Sequence, residues 1–240
     1  MNYLQLGQSL VTECGAGSAS LTTMQSQTGE ALRFVNWVNS AWNELQTFRD
    51  DWAWMRSNAE TGGGVSFVPA AGAPWCAWGT SAGQLGIQST AFGGKWVEGS
   101  FRNYVTTVGQ TSEIFMDFLP SLDHWRDGYY YGAQRNVRTR PVVLAIAPDR
   151  SLLVGPPSDG SYTVYGDYFK SPSSMSADVD TPTGLPNHYH MLIVYRGMMY
   201  YGEYESAPEV FDRGSRLYEE MFRELDQNYG PNVKVGGALA

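Results

Sequence analysis

The sequence predicts an α+β fold, a helical bundle formed by the N- and C-terminal helices with an inserted β-rich sandwich or meander domain. Apolar residues recur at three- and four-residue intervals over 28–54, and a second, unusually apolar helical run starts at 189. Between them glycine and proline are frequent and short β-prone segments follow one another. The predicted division is an N-terminal arm over 1–26, a long bundle helix over 27–57, a β-rich insertion over 58–184, a helical hairpin over 185–229 and a C-terminal tail over 230–240.

The first long helix is predicted from Thr28, a plausible N-cap, with Glu30 in its first turn. It continues to Trp54, or about six or seven turns at 3.6 residues per turn. The residues before it are small and polar, with GAGSAS at 15–20, so we expect an extended arm with room for one short helix. The apolar stripe of the helix consists of Leu32, Val35, Val38, Trp42, Leu45, Phe48 and Trp52.

The β-rich region contains six short runs of strand-forming residues. The turn residues Pro148–Ser151 predict that the fourth and fifth runs pair as a hairpin, and the sixth run extends this pair into a three-stranded meander. A short helix is predicted over Leu122–Tyr131. The six runs are Val65–Val68, Lys95–Val105, Ile114–Leu119, Val142–Ala147, Leu152–Val154 and Tyr162–Phe169.

The run from Tyr189 to Tyr201 is apolar on nearly all sides of a helix, and such a helix must be surrounded. Arg196 and Gly197 interrupt it, and it is too short to span a bilayer. We therefore expect protein on several of its faces, with another copy of the chain as a candidate. Ser206 followed by Pro208 and Glu209 predicts the N-cap and capping box of a second, half-buried helix.

Composition restricts the possible partners. Sixteen Lys and Arg against 24 Asp and Glu give a net charge of −8, which disfavours binding to nucleic acid through overall charge. The chain has 8 Trp and 15 Tyr, which either fill a core or lie in subunit interfaces. The predicted bundle or oligomer interface consists of Trp37, Trp42, Trp52, Tyr195, Met199, Tyr200 and Tyr201. The basic cluster of Arg135, Arg138 and Arg140 indicates a solvated turn or an anionic partner.

Cys14 and Cys76 are too few for a disulfide framework or a metal site. No basic segment followed by an apolar one indicates a signal peptide, and no apolar run is long enough for a membrane span. We therefore expect synthesis in a reducing cytoplasm, no membrane association, and neither a metal nor a cofactor.

Catalytic patterns are weak. Gly79–Gly83 matches the GxSxG turn of serine hydrolases, but no convincing helix follows Ser81, so a hydrolase is a minor alternative. His188 and His190 are two residues apart, which is not the spacing of a metal pair on a helix, and one of them is expected to cap the preceding loop. A second alternative is a β-sandwich module that binds carbohydrate or protein. Its candidate binding residues are Trp75, Trp78 and Trp96.

Two blocks of the sequence resemble head-to-tail adaptor proteins of tailed bacteriophages. The first is RFVNWVNSAWNELQ at 33–46, followed by DWAWM at 51–55. The segment from Gly62 to Val137, including the glycine-rich WGTSAGQLG, carries no such match. The second block comprises YGDYFKSP at 165–172, Leu185-Pro186, HMLIVYR at 190–196, MYYG at 199–202 and APE at 207–209.

This resemblance implies a non-enzymatic virion protein that forms a ring, usually of twelve copies, beneath the portal protein at the capsid vertex. The bundle would pack side by side around a channel through which DNA passes without specific binding. The other face of the ring would receive a stopper, tail-tube or nozzle protein. The resemblance also implies a C-terminal tail that reaches into the portal, with Val233, Lys234, Val235 and Leu239 as its contact residues.

Overall fold

The fold is α+β, as predicted, and the chain divides into two compact units. The helical unit comprises Met1–Met55 and Pro172–Ala240, and the β unit comprises Arg56–Ser171. The computed structural model describes residues 1–17, 21–58, 65–68, 75–76, 95–148 and 151–230. The α-helices of this part of the chain are α1 (Tyr3–Cys14), α2 (Gly29–Thr47), α3 (Leu122–Trp125), α4 (Met191–Tyr204) and α5 (Pro208–Tyr229).

The N-terminal region is more ordered than an extended arm. Its helix α1 has 12 residues and begins with a capping box, in which Asn2 and Gln5 satisfy each other's backbone amides. Leu6 and Leu10 on its inner face are fully buried. Because residues spaced by three or four lie on one helix face, this short stripe is enough to make α1 part of the bundle.

Helix α2 ends at Thr47, so the predicted continuation to Trp54 was wrong. Asp50 and Asp51 follow that end, where a helix dipole disfavours negative charge. The chain then folds back, and the Trp52 indole donates a hydrogen bond to the Leu45 carbonyl at 3.0 Å. A 3₁₀ turn over Ala53–Met55 follows, and it buries the side chain of Trp54 against the bundle.

Helices α4 and α5 form the predicted helical hairpin, but its turn differs from the prediction. Ser206 is not the N-cap of α5: it adopts a left-handed conformation with φ of 55°, and Ala207 occupies the cap position. Pro208 is the first helical residue, as its fixed φ and missing amide hydrogen favour. The turn is tight because Gly202 lies against Phe211, where an added Cβ would be 2.7 Å from the Phe211 Cβ.

The segment that returns from the β unit is held on α2 by side-chain amides. Asn39 exchanges hydrogen bonds with both backbone groups of Met175, and Gln46 does the same with Ser173. Further along, the backbone carbonyls of Asp178 and Asp180 accept from the first amides of α1. This extended segment therefore links α1 to α2.

The β unit consists of short strands in three small sheets. Their orders are β1-β11-β4, β2-β10-β5-β6 and β3-β9-β8-β7. The strands are β1 (Arg56–Ser57), β2 (Val65–Phe67), β3 (Trp75–Cys76), β4 (Lys95–Trp96), β5 (Arg102–Val105), β6 (Ile114–Phe115), β7 (Asp117–Phe118), β8 (Val143–Ile146), β9 (Leu152–Gly155), β10 (Tyr162–Gly166) and β11 (Tyr168–Phe169).

The predicted hairpin is confirmed, whereas the predicted meander is wrong. Strands β8 and β9 pair antiparallel, with Leu144 opposite Val154. Strand β10 pairs with β2 and β5 in another sheet and not with β9. Proximity along the chain favours the next strand as partner, but here long-range packing decides the pairing. The predicted short helix over 122–131 is present as α3 and a following π turn to Tyr130.

Three predicted strands are divided by their packing, among them the run over 162–169, whose parts β10 and β11 lie in different sheets. The run over 95–105 is broken by a 3₁₀ turn at Glu98–Ser100, and the run over 114–119 changes sheets after Phe115. These divisions wrap the strands around a core that contains Trp96, Phe101 and Met116. Trp96 is only 3% exposed, so it cannot be the sugar-binding surface residue of the carbohydrate alternative.

Candidate interaction surface

Helix α4 is enclosed on several sides, as its sequence predicts. Helices α1, α2 and α5 of the same chain pack against it, and Leu192, Val194 and Met198 are fully buried. Glycines allow close approach: an added Cβ on Gly197 would lie 2.7 Å from the Leu10 side chain. Three neighbouring helices thus explain most of its apolar character without a second copy of the chain.

Where α4 meets α2, aromatic and charged side chains come to the surface. Along this face, side chains of α2 contact side chains of α4 at successive positions. We refer to it as the α2–α4 surface, formed by Arg33, Trp37 and Glu44 of α2 with Arg196, Tyr200, Tyr201 and Tyr204 of α4.

At one end of the α2–α4 surface the rings form a cluster around Trp37. The Trp37 ring centroid is 6.0 Å from that of Tyr201 and 5.8 Å from that of Tyr204. The Arg33 guanidinium lies 4.2 Å from the Tyr204 ring centroid, within the range of a cation–π contact. Tyr204 is 51% exposed and Leu32, one residue before Arg33, is 40% exposed. Exposed Tyr and Arg side chains beside a half-buried Trp are typical of a protein-binding surface.

Toward the other end, Glu44 joins the two helices. Arg196 donates two hydrogen bonds to its carboxylate, at 2.7 and 2.8 Å, and the Tyr200 hydroxyl donates a third. Burial by itself would raise the pKa of Glu44, but the bonds from Arg196 and Tyr200 outweigh it and lower that pKa. Burial, together with the nearby Glu44 carboxylate, raises the pKa of Tyr218 on α5 to about 12. The carboxylate is therefore ionised at neutral pH and fixes α2 to α4 in register.

A second exposed aromatic group lies past the end of α2. Phe48 is 59% exposed, and its ring meets that of Phe222 on α5 edge-on at 4.8 Å. Phe222 in turn stacks on Tyr218. The helical unit thus presents aromatic side chains on α2, α4 and α5.

The residues predicted as an interface fall into two groups. Trp37, Tyr195, Met199, Tyr200 and Tyr201 are half-buried, and Trp37 and Tyr201 lie in one aromatic cluster. Trp42 and Trp52, by contrast, are fully buried beside Trp54 inside the helical unit, where they serve the bundle. The predicted tail residues Val233, Lys234, Val235 and Leu239 lie outside the described residues.

Sequence reasoning missed the Glu44 network and the cation–π pair of Arg33. The first had a signal: a charged Arg196 inside an apolar helix needs a partner, and Glu44 is an acid near the polar edge of the neighbouring amphipathic helix. Nothing in the sequence, however, fixes how α2 and α4 align.

His190 caps the preceding loop, as expected of one member of the histidine pair. Its Nε2 lies 3.1 Å from the Leu185 carbonyl and its Nδ1 lies 2.7 Å from the amino group of Met1. A carbonyl only accepts and an ammonium only donates, so the ring is the neutral tautomer protonated on Nε2. Burial lowers its pKa, which favours this neutral form.

Among the described residues, no group of three or more His, Cys, Asp or Glu side chains could hold a metal ion. The GxSxG residues 79–83 and Trp78 lie outside the described residues, as does the side chain of Trp75. In the described part of the chain, no helix is both long enough and apolar enough to span a membrane.

A polar cavity of about 520 Å³ opens on the β unit. Two ion pairs neutralise its lining: Arg56 with Asp167 at 2.6 Å, and Arg102 with Glu113 at 3.4 Å. The Tyr165 hydroxyl donates to Glu113 at 2.6 Å. These contacts link β1, β5 and β10, so the polar residues that line the cavity stabilise the β unit.

A helical bundle with exposed Arg33 and Tyr204 beside a half-buried Trp37 has the surface composition of proteins that bind other proteins. The particular family is given by comparison with known proteins: residues 1–235 match the SU10 adaptor protein family, and the chain belongs to it. This is a family of phage head-tail adaptors, so the chain is a bacteriophage adaptor and a structural component of the virion. A search of curated proteins found no match.

Proposed function

We propose that this adaptor forms a closed dodecameric ring between the portal protein and the tail, and that the ring continues the channel through which DNA is retained and ejected. The single observation that carries the proposal is the α2–α4 surface, with its exposed Tyr204 and half-buried Trp37, in a chain of a head-tail adaptor family. In a ring, each copy presents one face to the next, and such heterologous contacts close on themselves. The α2–α4 surface supplies one of the two faces.

The distribution of charge supports a role as a conduit. The helical unit has 15 Asp and Glu against 7 Lys and Arg, whereas the β unit has nine of each. The whole net charge of −8 therefore resides on the helical unit. A wall of like charge repels DNA phosphates and does not retain them, which suits a channel through which a genome passes.

The proposed partners lie on the two faces of the ring. The portal protein binds the C-terminal tail through Val233, Lys234, Val235 and Leu239, and a stopper, tail-tube or nozzle protein binds the opposite face. The tail follows the end of α5, and so short a segment cannot form a core of its own. The protein acts mechanically, at the capsid vertex, after assembly in the host cytoplasm.

Self-assembly tests the proposal through the α2–α4 surface. Trp37→Ala combined with Tyr204→Ala removes two large rings, and we expect the assembled fraction to need at least about tenfold more protein, since central aromatic residues dominate interfaces. Sedimentation velocity over a concentration series measures this. The matched control is Val108→Ala, because Val108 is 59% exposed but lies in the β unit.

A wild-type chain that sediments as a monomer at every concentration, with or without portal rings, would overturn the proposed function. If the double variant forms rings as well as the wild type does, the α2–α4 surface is not the lateral contact of the ring. Circular dichroism of each variant confirms that the fold is retained.

A further inference from the structure

One loop of the β unit carries charge of the opposite sign to the helical unit. Residues 126–142, which we call the arginine loop, contain Arg126, Arg135, Arg138 and Arg140 but a single acidic residue, Asp127. This excess of positive charge stands out in a β unit that is neutral as a whole.

The arginine loop also exposes apolar side chains. Tyr131 is 56% exposed, Val137 is 44% exposed and Val142 is 41% exposed. The loop begins with a π turn over Arg126–Tyr130, a feature often found at functional sites. Exposed tyrosine and valine beside arginine are the mixture expected of a protein-binding surface.

Both ends of the arginine loop are fixed on the β unit. At its start, the preceding Trp125 donates its indole hydrogen to the Val154 carbonyl at 3.2 Å, and the Tyr129 ring of the loop packs against Gly155. At its other end, Arg140 donates to the Asn103 side chain at 2.7 Å and to the Ser112 carbonyl at 2.5 Å. Arg140 is therefore a structural residue, and both ends of the loop are anchored on the β unit. A surface fixed in this way loses little conformational entropy on binding.

Arg126 and Arg138 point their charge toward solvent. The Arg126 side chain is 45% exposed, and its pair with Asp123 is long, at 3.3 Å, and solvated. Such a pair is too weak to hold the arginine against a better partner. Arg138 is exposed as well.

We propose that the arginine loop of one copy docks on the outer face of helix α5 in a neighbouring copy. Helix α5 contains six Asp and Glu against three Arg, and Glu219, Glu220 and Glu224 are all exposed. Their sign complements that of the loop. The inference rests on the proposed ring, in which it assigns a second lateral contact.

DNA is the competing occupant, because arginine and tyrosine also bind phosphates and bases. Tyr131, Val137 and Val142 together favour a protein, since three exposed apolar groups gain little from a phosphate backbone. The acidic outer face of α5 in a second copy complements the charge of the loop.

The test reverses charge on each side in the full chain. Arg126→Glu with Arg138→Glu should raise the protein concentration needed for half-assembly at least about tenfold, and the loss should be greatest at low salt. Adding Glu219→Arg, Glu220→Arg and Glu224→Arg should restore most of the assembly. Sedimentation velocity at two ionic strengths provides the readout, with Lys170→Glu as control because Lys170 is exposed elsewhere in the β unit.

The outcomes separate the two proposals. If the arginine variant forms rings as readily as the wild type, the docking of the loop is wrong, and the proposed ring still stands. Loss of assembly without rescue by the α5 variants would overturn the assignment to α5. If the arginine variant assembles normally but retains less DNA in a filter-binding assay, the loop binds DNA and not a second copy of the chain. A wild-type chain that never assembles would overturn the ring and the loop contact together.

Discussion

Glu44 shows how one residue decides the register of two helices. Its carboxylate accepts from Arg196 and Tyr200, and its charge acts on Tyr218 of α5. The sequence indicates that α2 is amphipathic and that Arg196 interrupts an apolar run, but the rotation of the two helices is set by side-chain packing. The contact between Glu44 and Arg196, which lie far apart in the chain, therefore could not be predicted from the periodicity of either helix.

Removing the charge of Glu44 should destabilise the helical unit. For Glu44→Gln we expect the free energy of unfolding to fall by about 1–2 kcal/mol, because Arg196 keeps only a neutral acceptor. A fully buried pair would lose about 3–5 kcal/mol, but the Glu44 side chain is 40% exposed and solvent screens it. Urea unfolding at pH 7 measures the change. Glu220→Gln is the control: its pair with Arg216 is well exposed, so a change below about 0.5 kcal/mol is expected.

The same residue predicts a pH dependence. Because the pKa of Glu44 is lowered in the folded chain, its contribution to stability is complete above the ordinary glutamate pKa of about 4.3 and is lost as pH falls through the lower, folded value. The difference between wild type and Glu44→Gln should be constant from pH 7 to about pH 5 and shrink toward about pH 3. A difference that persists undiminished in acid would show that Glu44 acts through packing alone.

At the scale of elements, the helices followed from sequence more closely than the strands. The apolar run of α4 and the stripe of α5 are patterns within one segment, and both helices form where their periodicity predicts them. Strand partners depend on distant residues. The β8–β9 hairpin is local and was predicted, whereas β10 pairs with β5, some 60 residues earlier in the chain, and its pairing could not be predicted.

Close contact between α4 and α5 requires glycine at position 202. A Cβ there would lie 2.7 Å from the Phe211 Cβ and 2.8 Å from its backbone nitrogen, and a backbone atom cannot move aside cheaply. Gly202→Ala should therefore lower the free energy of unfolding by about 1–3 kcal/mol, although alanine favours a helix by about 1 kcal/mol. Thermal unfolding tests this. Glu203→Ala, at the exposed neighbouring position, should change stability by less than about 0.5 kcal/mol.

If Gly202→Ala were as stable as wild type, the α4–α5 turn would have to be looser than these contacts indicate.

At the scale of the whole molecule, the fold class and the family could be predicted, and the surface only in part. Of the residues predicted as an interface, Trp37, Tyr200 and Tyr201 are half-buried, whereas Trp42 and Trp52 are fully buried. Periodicity distinguishes the inner face of a helix from its outer face. It does not show which inner faces are covered by the same chain and which by another.

The C-terminal tail supplies a prediction about partners. Deletion of Gly230–Ala240 should leave the unfolding transition of the chain within about 0.5 kcal/mol of wild type, because the segment follows the end of α5. Binding to portal rings should weaken at least about tenfold, as measured by co-sedimentation. The α2–α4 double variant is the control, since it should reduce ring formation with the tail still present. Undiminished co-sedimentation of the truncated chain would assign portal binding to another part of the protein.

Electron microscopy of the purified chain mixed with portal rings tests the central claim most directly. The account predicts a closed ring of this chain, coaxial with the portal and continuing its channel. Portal rings that remain bare, beside a chain that stays monomeric, would contradict it.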